Sequence, residues 1–215
     1  MLEYRLDTYL VDKSNRSAYT AIEKVAAGEA GLLMAVYGNS GVGKTHLLYA
    51  CKAAVNELQP EKNVLYLMGD SFMNELLEHI RDSSMEAYLQ GLAERVDLLL
   101  LDDLDFILDR PATLKLFARV CHTLTEKGKS VLFSTVRRPA GFRRVYSKLY
   151  GAGVELIHIK DSGREARRMM AEKLASSYQM TLSQGETEEI ARRCQSIPEI
   201  IGRMKTLKAK RDLLE

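Results

Sequence analysis

A glycine-rich segment in the first quarter of the chain constrains the fold more than any other feature of the sequence. It spans residues 38–45 and reads Gly-Asn-Ser-Gly-Val-Gly-Lys-Thr, which matches the complete phosphate-loop pattern. An apolar run at residues 32–37 precedes it and a helical repeat follows it, as a phosphate loop requires. The sequence therefore predicts an α/β domain with a parallel sheet that binds a nucleotide.

Each part of this loop has an expected role in holding ATP or ADP. Glycines let backbone N–H groups converge on phosphate oxygens, and the helix N-terminus adds partial positive charge. Lys44 is expected to reach the β- and γ-phosphates, and Thr45 to ligate Mg²⁺. The predicted site comprises the loop and the residue after it, namely Asn39, Ser40, Gly41, Val42, Gly43, Lys44, Thr45 and His46.

A second signature of nucleotide chemistry lies farther along the chain. Residues 98–101 are consecutive leucines, and Asp102 and Asp103 follow them directly. A buried strand that ends in two carboxylates places the first one beside the Mg²⁺ of a phosphate loop. We therefore expect Asp102 to ligate Mg²⁺ together with Thr45, and Asp103 to polarise an attacking water.

Short apolar runs alternate with helical patterns over the first 160 residues. The runs are continuous, as expected for strands that are covered on both faces. They span residues 32–37, 64–68, 97–101, 130–135 and 154–159, and helical patterns span 47–58, 72–81, 85–94 and 112–127. Only helical patterns follow, near 163–178, 186–195 and 199–214. We therefore predict an α/β base over residues 1–160 and a helical unit over residues 161–215.

Composition narrows the class of protein further. At 46% hydrophobic and 28% charged residues the chain is not disordered, and no apolar run approaches the ~20 residues that a membrane span needs. The N-terminus lacks a signal-peptide pattern, and three scattered cysteines do not indicate a disulfide framework. We expect a cytoplasmic protein without a membrane partner. Its initial methionine and helical end lead us to expect a complete chain.

Several segments resemble the ATPase domain of the bacterial replication initiator DnaA and follow one another in the same order. The DnaA family belongs to the AAA+ ATPases. The segments read LDTYLVDKSNRSAY at 6–19, GNSGVGKTHLL at 38–48, VLYLM at 64–68, FMNELLEHIR at 72–81 and LLLLDDLDF at 98–106. An Arg-Pro pair at 138–139 falls where the family has one after its fourth strand. The resemblance covers roughly residues 6–207. It is specific, because the opening segment and the helices at 72–94 are not features of phosphate-loop ATPases in general.

This resemblance implies a fold and a site. The family has a five-stranded parallel sheet of order 5-1-4-3-2 between helices, and a small helical lid over the nucleotide. By position, Val11, Asp12 and Asn15 border the adenine, residues 39–45 hold the phosphates, and Asp102 and Asp103 serve metal and water. The helices at 72–94 correspond to an insertion that marks initiators and helicase loaders and that can face single-stranded DNA.

Three positions depart from the family's catalytic pattern. The sensing aspartate after the fourth strand is matched by Val136, unless Thr135 substitutes for it. The arginine finger is matched by Lys148, which lacks the planar fork that fits a phosphoryl group, although the preceding arginine is retained as Arg144. The γ-phosphate-sensing arginine of the lid is matched by Pro198. Asp102, Asp103, Arg144 and Lys148 form the expected catalytic set, and the resemblance implies nucleotide binding with weak intrinsic hydrolysis.

The sequence leaves three functions open. The first is an accessory regulator of replication initiation similar to Hda, the short DnaA paralogue without a DNA-binding domain. The few residues after 207 lead us to expect no DNA-binding domain in this chain either. Arg143 and Arg144, in a run at 137–148 with five basic and no acidic residues, would then act on a neighbour's nucleotide. The second is a helicase loader or an ATPase that remodels single-stranded DNA. The third is a nucleotide-stabilised adaptor. The expected partners are DnaA or another replication protein, further copies of this chain, and single-stranded DNA.

Overall fold

In a computed structural model, five strands form one parallel sheet. The structure describes residues 4–150 and 153–213, and for residues 146 and 148–150 the backbone alone. The strands are β1 (Leu33–Tyr37), β2 (Val64–Met68), β3 (Leu98–Asp102), β4 (Ser130–Thr135) and β5 (Glu155–His158). They lie in the order β2-β3-β4-β1-β5, and every neighbouring pair is parallel. Read from the other edge this order is 5-1-4-3-2, which confirms the predicted fold class.

Helices connect the strands and continue beyond the last one. They are α1 (Arg16–Ala26), α2 (Lys44–Leu58), α3 (Gly69–Arg81), α4 (Met85–Arg95), α5 (Asp105–Leu108), α6 (Pro111–Glu126), α7 (Phe142–Tyr150), α8 (Arg164–Ser177), α9 (Gln184–Arg193) and α10 (Ile197–Asp212). The sequence pattern did not predict α1, α5 or α7. In α1 the buried face is built largely from alanines, which weaken the apolar repeat.

The sheet lies between two helical layers, and this arrangement explains the continuous apolar runs. In β1, Leu33 and Ala35 belong to a core cluster shared with α3, α4 and α6, whereas Met34 and Val36 belong to one shared with α1 and α2. Alternate residues of a strand point to opposite faces, so a strand covered on both sides has no polar face. The two clusters are the main hydrophobic core.

The predicted basic run at 137–148 contains a helix that is fixed by aromatic packing. Phe142, at the start of α7, is 1% exposed, and its ring centroid lies 5.2 Å from that of Phe117 and 5.3 Å from that of Phe133. Arg143 and Arg144 follow it and are exposed. The packing of Phe142 therefore fixes the start of α7, from which Arg143 and Arg144 extend into solvent.

The residues after β5 form helices that pack around a core of their own. That core includes Leu174 of α8, Ile190 of α9, and Ile200 and Met204 of α10. The expected division near residue 160 stays a prediction. In the part of the chain that the structure describes, no helix is both long enough and apolar enough to span a membrane.

Gly69, the first residue of α3, allows that helix to approach the turn after β3. A Cβ at this position would lie 2.3 Å from the backbone oxygen of Asp103 and 3.0 Å from the Leu104 side chain. We expect Gly69→Ala to lower the free energy of unfolding by about 2 kcal/mol, because backbone must move to relieve the overlap. Urea unfolding measures this change.

Gly91 provides the matched control because it lies inside α4 and a Cβ there would meet nothing within 4 Å. Gly91→Ala should raise the free energy of unfolding by about 0.5–1 kcal/mol, since alanine favours the helix. A Gly69→Ala variant as stable as Gly91→Ala would contradict the proposed close approach.

Candidate nucleotide-binding site

The phosphate loop connects β1 to α2 and depends on glycines for its shape. Gly41 and Gly43 have φ angles of +79° and +101°, in the region that residues other than glycine rarely adopt. Gly43 directly precedes α2, whose first N–H groups have no partners within the helix. The loop therefore places a helix N-terminus at the carboxyl edge of the sheet, where an anion is stabilised.

Lys44 lies inside this loop. Its side chain is 9% exposed, and its Nζ donates hydrogen bonds to the backbone oxygens of Gly38 (2.7 Å) and Asn39 (2.9 Å). Burial lowers the pKa of the Lys44 ammonium, and the negative charges of Asp105, Asp102 and Asp103 act in the opposite direction. The structure thus brings the predicted phosphate-binding lysine and the two predicted carboxylates together.

Asp102 is the last residue of β3 and is 3% exposed. Its two oxygens accept hydrogen bonds from neutral donors, the Ser134 hydroxyl on Oδ1 and the Tyr66 hydroxyl on Oδ2 at 2.9 Å. Among the lysine and arginine side chains that the structure describes, none forms an ion pair with it. A buried carboxylate without a protein cation suits a bound metal ion.

The donor set near Asp102 fits Mg²⁺ held in the manner of a phosphate loop. Thr45 lies in the first turn of α2 and borders the same cleft as Asp102. Within the described residues there is no group of three or more His, Cys, Asp or Glu side chains that could hold a metal. Mg²⁺ commonly takes one or two protein oxygens and completes its shell with phosphate oxygens and water, so no such group is needed.

A third carboxylate, which the sequence reasoning missed, lies beside Asp103. The Asp105 carboxylate accepts hydrogen bonds from the Thr135 hydroxyl (2.6 Å) and from the Val136 N–H (3.1 Å to each oxygen). Burial raises the pKa of Asp105, but these bonds and one with Asp103 outweigh it and lower the pKa. The hydrogen bond with Asp105, together with burial, raises the pKa of Asp103. The only sequence signal was a third acid shortly after the Asp102–Asp103 pair.

The opening segment contributes to a second, smaller cavity of about 60 Å³ beside the loop, which Asn15 and His46 line. The remaining lining residues are Thr8, Tyr9, Leu10, Val42, Met170, Lys173, Leu174 and Ile197. Of the residues expected at the adenine, Asn15 lines this cavity and also shapes the segment by donating to the Leu10 oxygen at 2.9 Å. Val11 packs against the core, and Asp12 accepts from the Ser14 N–H at 2.7 Å. Neither is part of the lining, and their adenine role stays a prediction.

His46 borders both cavities. The edges of the Tyr4 and Tyr9 rings meet its ring with centroids 5.1 Å apart in each case. Burial lowers the pKa of the His46 imidazole, and the nearby Lys173 charge lowers it further, against a backbone hydrogen bond with Arg5 that raises it. A neutral aromatic ring at this point can pack against a base or ribose, and the expected place of His46 beside the nucleotide stays a prediction.

The last three helices reach the phosphate loop through the start of α10. The Ile197 N–H donates to the Gly41 oxygen at 3.3 Å, and a Cβ on Gly41 would lie 3.1 Å from Pro198 Cδ. Pro198 and Ile201 line the main cleft, which has a volume of about 380 Å³. Arg203, farther along α10, pairs with Glu189 at 3.3 Å and is not part of the lining. The side chains that α10 brings to the cleft are therefore apolar.

Of the two predicted catalytic residues in the basic run, the structure describes the side chain of Arg144 alone. Arg144 is exposed on α7 and does not line the cleft of its own chain. Arg137 forms an ion pair with Asp109 at 2.5 Å. The side chain of Lys148 lies outside the described part of the chain, so its expected role stays a prediction.

The chain is similar to bacterial DnaA proteins. The family model of the bacterial DnaA ATPase domain matches residues 2–155. The DnaA initiator protein of Ruegeria sp. strain TM1040 is 32% identical over 164 residues, which cover 74% of this chain and 35% of that protein. This chain therefore spans about a third of the length of that curated relative.

Solved structures of DnaA proteins have a similar fold. Domain III of the Thermotoga maritima initiation protein DnaA superposes with a TM-score of 0.84 at 22% identity, over 98% of this chain and 90% of that one. A replication initiator DnaA bound to AMPPCP and single-stranded DNA superposes with a TM-score of 0.81 at 25% identity, over 95% of this chain and 64% of that one. The first likeness concerns the fold alone.

Proposed function

This chain belongs to the family of bacterial DnaA ATPase domains, and from that membership we propose that it is a nucleotide-dependent regulator of replication initiation. In this proposal it binds ATP or ADP with Mg²⁺, hydrolyses ATP slowly, and acts on DnaA in the manner of Hda. One observation carries the proposal. The cleft is lined by the phosphate loop with Lys44 and Thr45 and by Asp102, whereas α10 contributes apolar side chains, among them Pro198 and Ile201, and no lysine or arginine.

Nucleotide binding is supported by the geometry of the loop. A DnaA relative binds AMPPCP, and this chain directs the first turn of α2, a buried Lys44 and the glycine loop at the corresponding edge of its sheet. In the proposed complex Lys44 Nζ exchanges the two loop carbonyls for β- and γ-phosphate oxygens. Bound Mg²⁺ would neutralise phosphate charge, with Thr45 and Asp102 as its protein ligands. Asn15 and His46 would flank the base.

Slow hydrolysis is supported by the groups that surround the γ-phosphate position. Thr135 is 1% exposed and its hydroxyl is bonded to Asp105, so it is not free to replace a sensing aspartate. The cleft also lacks a cation from α10. Transition-state charge on the phosphoryl group is thus poorly compensated.

The lid position tests this argument directly. We expect Pro198→Arg to raise the steady-state rate of ATP hydrolysis about tenfold, because a guanidinium at this edge of the cleft would stabilise charge on the transferred group. A phosphate-release assay measures the rate. Pro198→Ala is the matched control, because it removes the proline without adding charge and should leave the rate unchanged. Wild-type turnover above about 1 s⁻¹, within the ordinary range of enzymes, would contradict slow hydrolysis.

The regulatory part of the proposal is tested with the DnaA protein of the same organism. ATP-loaded DnaA on DNA is mixed with this protein, preloaded with ADP or ATP, and hydrolysis by DnaA is followed. We expect the nucleotide-loaded protein to change the rate of hydrolysis by DnaA. No change in rate and no complex by sedimentation would contradict the regulator and favour single-stranded DNA binding and helicase loading instead.

Contact with single-stranded DNA is a second candidate, and one surface favours it. Phe106 of α5 is 49% exposed, and the Arg110 guanidinium lies 4.1 Å from its ring centroid. An exposed aromatic ring next to a cation can stack on a base and neutralise a phosphate. Tight binding of a single-stranded oligonucleotide that weakens steeply with salt, and that Phe106→Ala abolishes, would favour a helicase loader or DNA-remodelling ATPase over the regulator.

A further inference from the structure

Tyr66 has no part in the sequence prediction, yet its hydroxyl contacts the predicted metal ligand. In the pairing of β2 with β3, Tyr66 lies opposite Leu100 and Met68 lies opposite Asp102. Tyr66 and Asp102 therefore share a face of the sheet, two residues apart in register. The tyrosine ring spans that offset, and its hydroxyl donates to Asp102 Oδ2 at 2.9 Å.

The ring of Tyr66 is held in place by other tyrosines. Tyr49 of α2 stacks on it with ring centroids 4.4 Å apart and planes inclined by 27°. Tyr4 stacks on the outer side of Tyr49 at 5.4 Å and borders the nucleotide cleft. Stacked rings of this kind limit ring motion. The hydroxyl of Tyr66 is thus presented to Asp102 from a supported ring.

The two hydrogen bonds on Asp102 together define the plane of its carboxylate. Ser134 occupies one oxygen and Tyr66 the other, and each oxygen keeps a second lone pair for a further ligand. We propose that Tyr66 is a positioning residue that orients Asp102 toward the Mg²⁺–nucleotide, with Tyr49 and Tyr4 as the support of its ring. This inference rests on the proposed binding of nucleotide with Mg²⁺.

Tyr66→Phe tests the proposal because it keeps the ring and removes only the hydroxyl. Groups that orient a metal ligand typically contribute about 10- to 100-fold to metal affinity. We expect the Mg²⁺ concentration that gives half of the Mg²⁺-dependent ADP binding to rise about tenfold. The affinity for ADP in the presence of EDTA should stay the same, because Lys44 and the loop are untouched. Isothermal titration with ADP over a Mg²⁺ series gives both quantities.

Tyr88→Phe is the matched control. The Tyr88 hydroxyl donates to the Glu75 carboxylate at 3.0 Å between α3 and α4, and neither residue lines the cleft. This variant also loses one tyrosine–carboxylate bond, so it reproduces a general loss of stability without touching Asp102. Its Mg²⁺ requirement should equal that of the wild type.

A graded variant separates the ring support from the hydroxyl. Tyr49→Ala removes the stacked ring but leaves the Tyr66 hydroxyl in place, and it should raise the Mg²⁺ requirement about threefold, less than a direct loss of the bond. An unchanged or lower Mg²⁺ requirement in a folded Tyr66→Phe protein that still binds ADP would overturn the positioning role alone. Wild-type protein that binds neither ADP nor ATP would overturn the proposed function and this inference together.

Discussion

Replacing Lys44 with alanine is expected to weaken the binding of both ATP and ADP at least about 100-fold. In the structure Lys44 is buried within the phosphate loop, and its ammonium is the loop's cation closest to the predicted phosphate positions. Hydrogen bonds to charged groups contribute about 1.5–3 kcal/mol each, and the variant removes those from Lys44 to the β- and γ-phosphates of ATP and to the β-phosphate of ADP. Isothermal titration with each nucleotide in the presence of Mg²⁺ measures the loss.

Lys52 gives a control on the same helix. It lies in α2 beyond the first turn and is not part of either cavity lining. Lys52→Ala removes an equal charge from the chain and should change nucleotide affinity less than about twofold, because a solvated charge at that distance is screened. Equal losses in the two variants would mean that net charge, and not the loop, governs binding. Retained affinity in Lys44→Ala would contradict the site itself.

Replacing Arg144 with alanine is expected to abolish the effect of this protein on hydrolysis by DnaA. Arg144 is exposed on α7, which Phe142 anchors to the core, and it does not line the cleft of its own chain. Such a side chain is suited to reach a phosphate held by a neighbouring molecule. Arginine fingers contribute about 10³–10⁵ in rate, so we expect a loss of stimulation of about 100-fold or more. Single-turnover hydrolysis by ATP-loaded DnaA measures it.

The control for Arg144→Ala is a basic residue of the same run whose charge is already paired with an acidic residue. Arg137 is paired with Asp109, so Arg137→Ala should preserve stimulation to within about twofold, as exposed ion pairs contribute little. Arg143→Ala tests the neighbouring exposed arginine in the same assay. Sedimentation with DnaA separates loss of binding from loss of rate. Full stimulation by Arg144→Ala would assign the activity to another residue.

Local patterns were sufficient for the sheet and for the phosphate loop. Every predicted strand is present within one residue of its predicted bounds, because a run of apolar residues between helical repeats has few alternatives to a buried strand. The loop was equally readable, since its glycines, lysine and threonine are contiguous and their chemistry does not depend on distant residues. The helix α7 was missed because the buried Phe142 is followed by basic residues, which weaken the apolar repeat.

Contacts between distant residues were beyond the sequence. The bond from Tyr66 to Asp102 depends on the register of β2 against β3, and the bonds from Thr135 and Val136 to Asp105 depend on where β4 ends beside β3. No local repeat encodes these registers, because they follow from how the whole sheet packs between its helices.

The sequence by itself determined that this chain forms an α/β phosphate-loop domain, because strand pattern and loop chemistry are both local, and the resemblance of several segments indicated the DnaA family. The tertiary structure decided how the cleft is equipped. It placed Pro198 against Gly41, bonded Thr135 to Asp105, left Arg144 exposed, and brought the Tyr66 hydroxyl to Asp102. These contacts join residues from separate strands and helices, and only their packing in three dimensions brings such residues together.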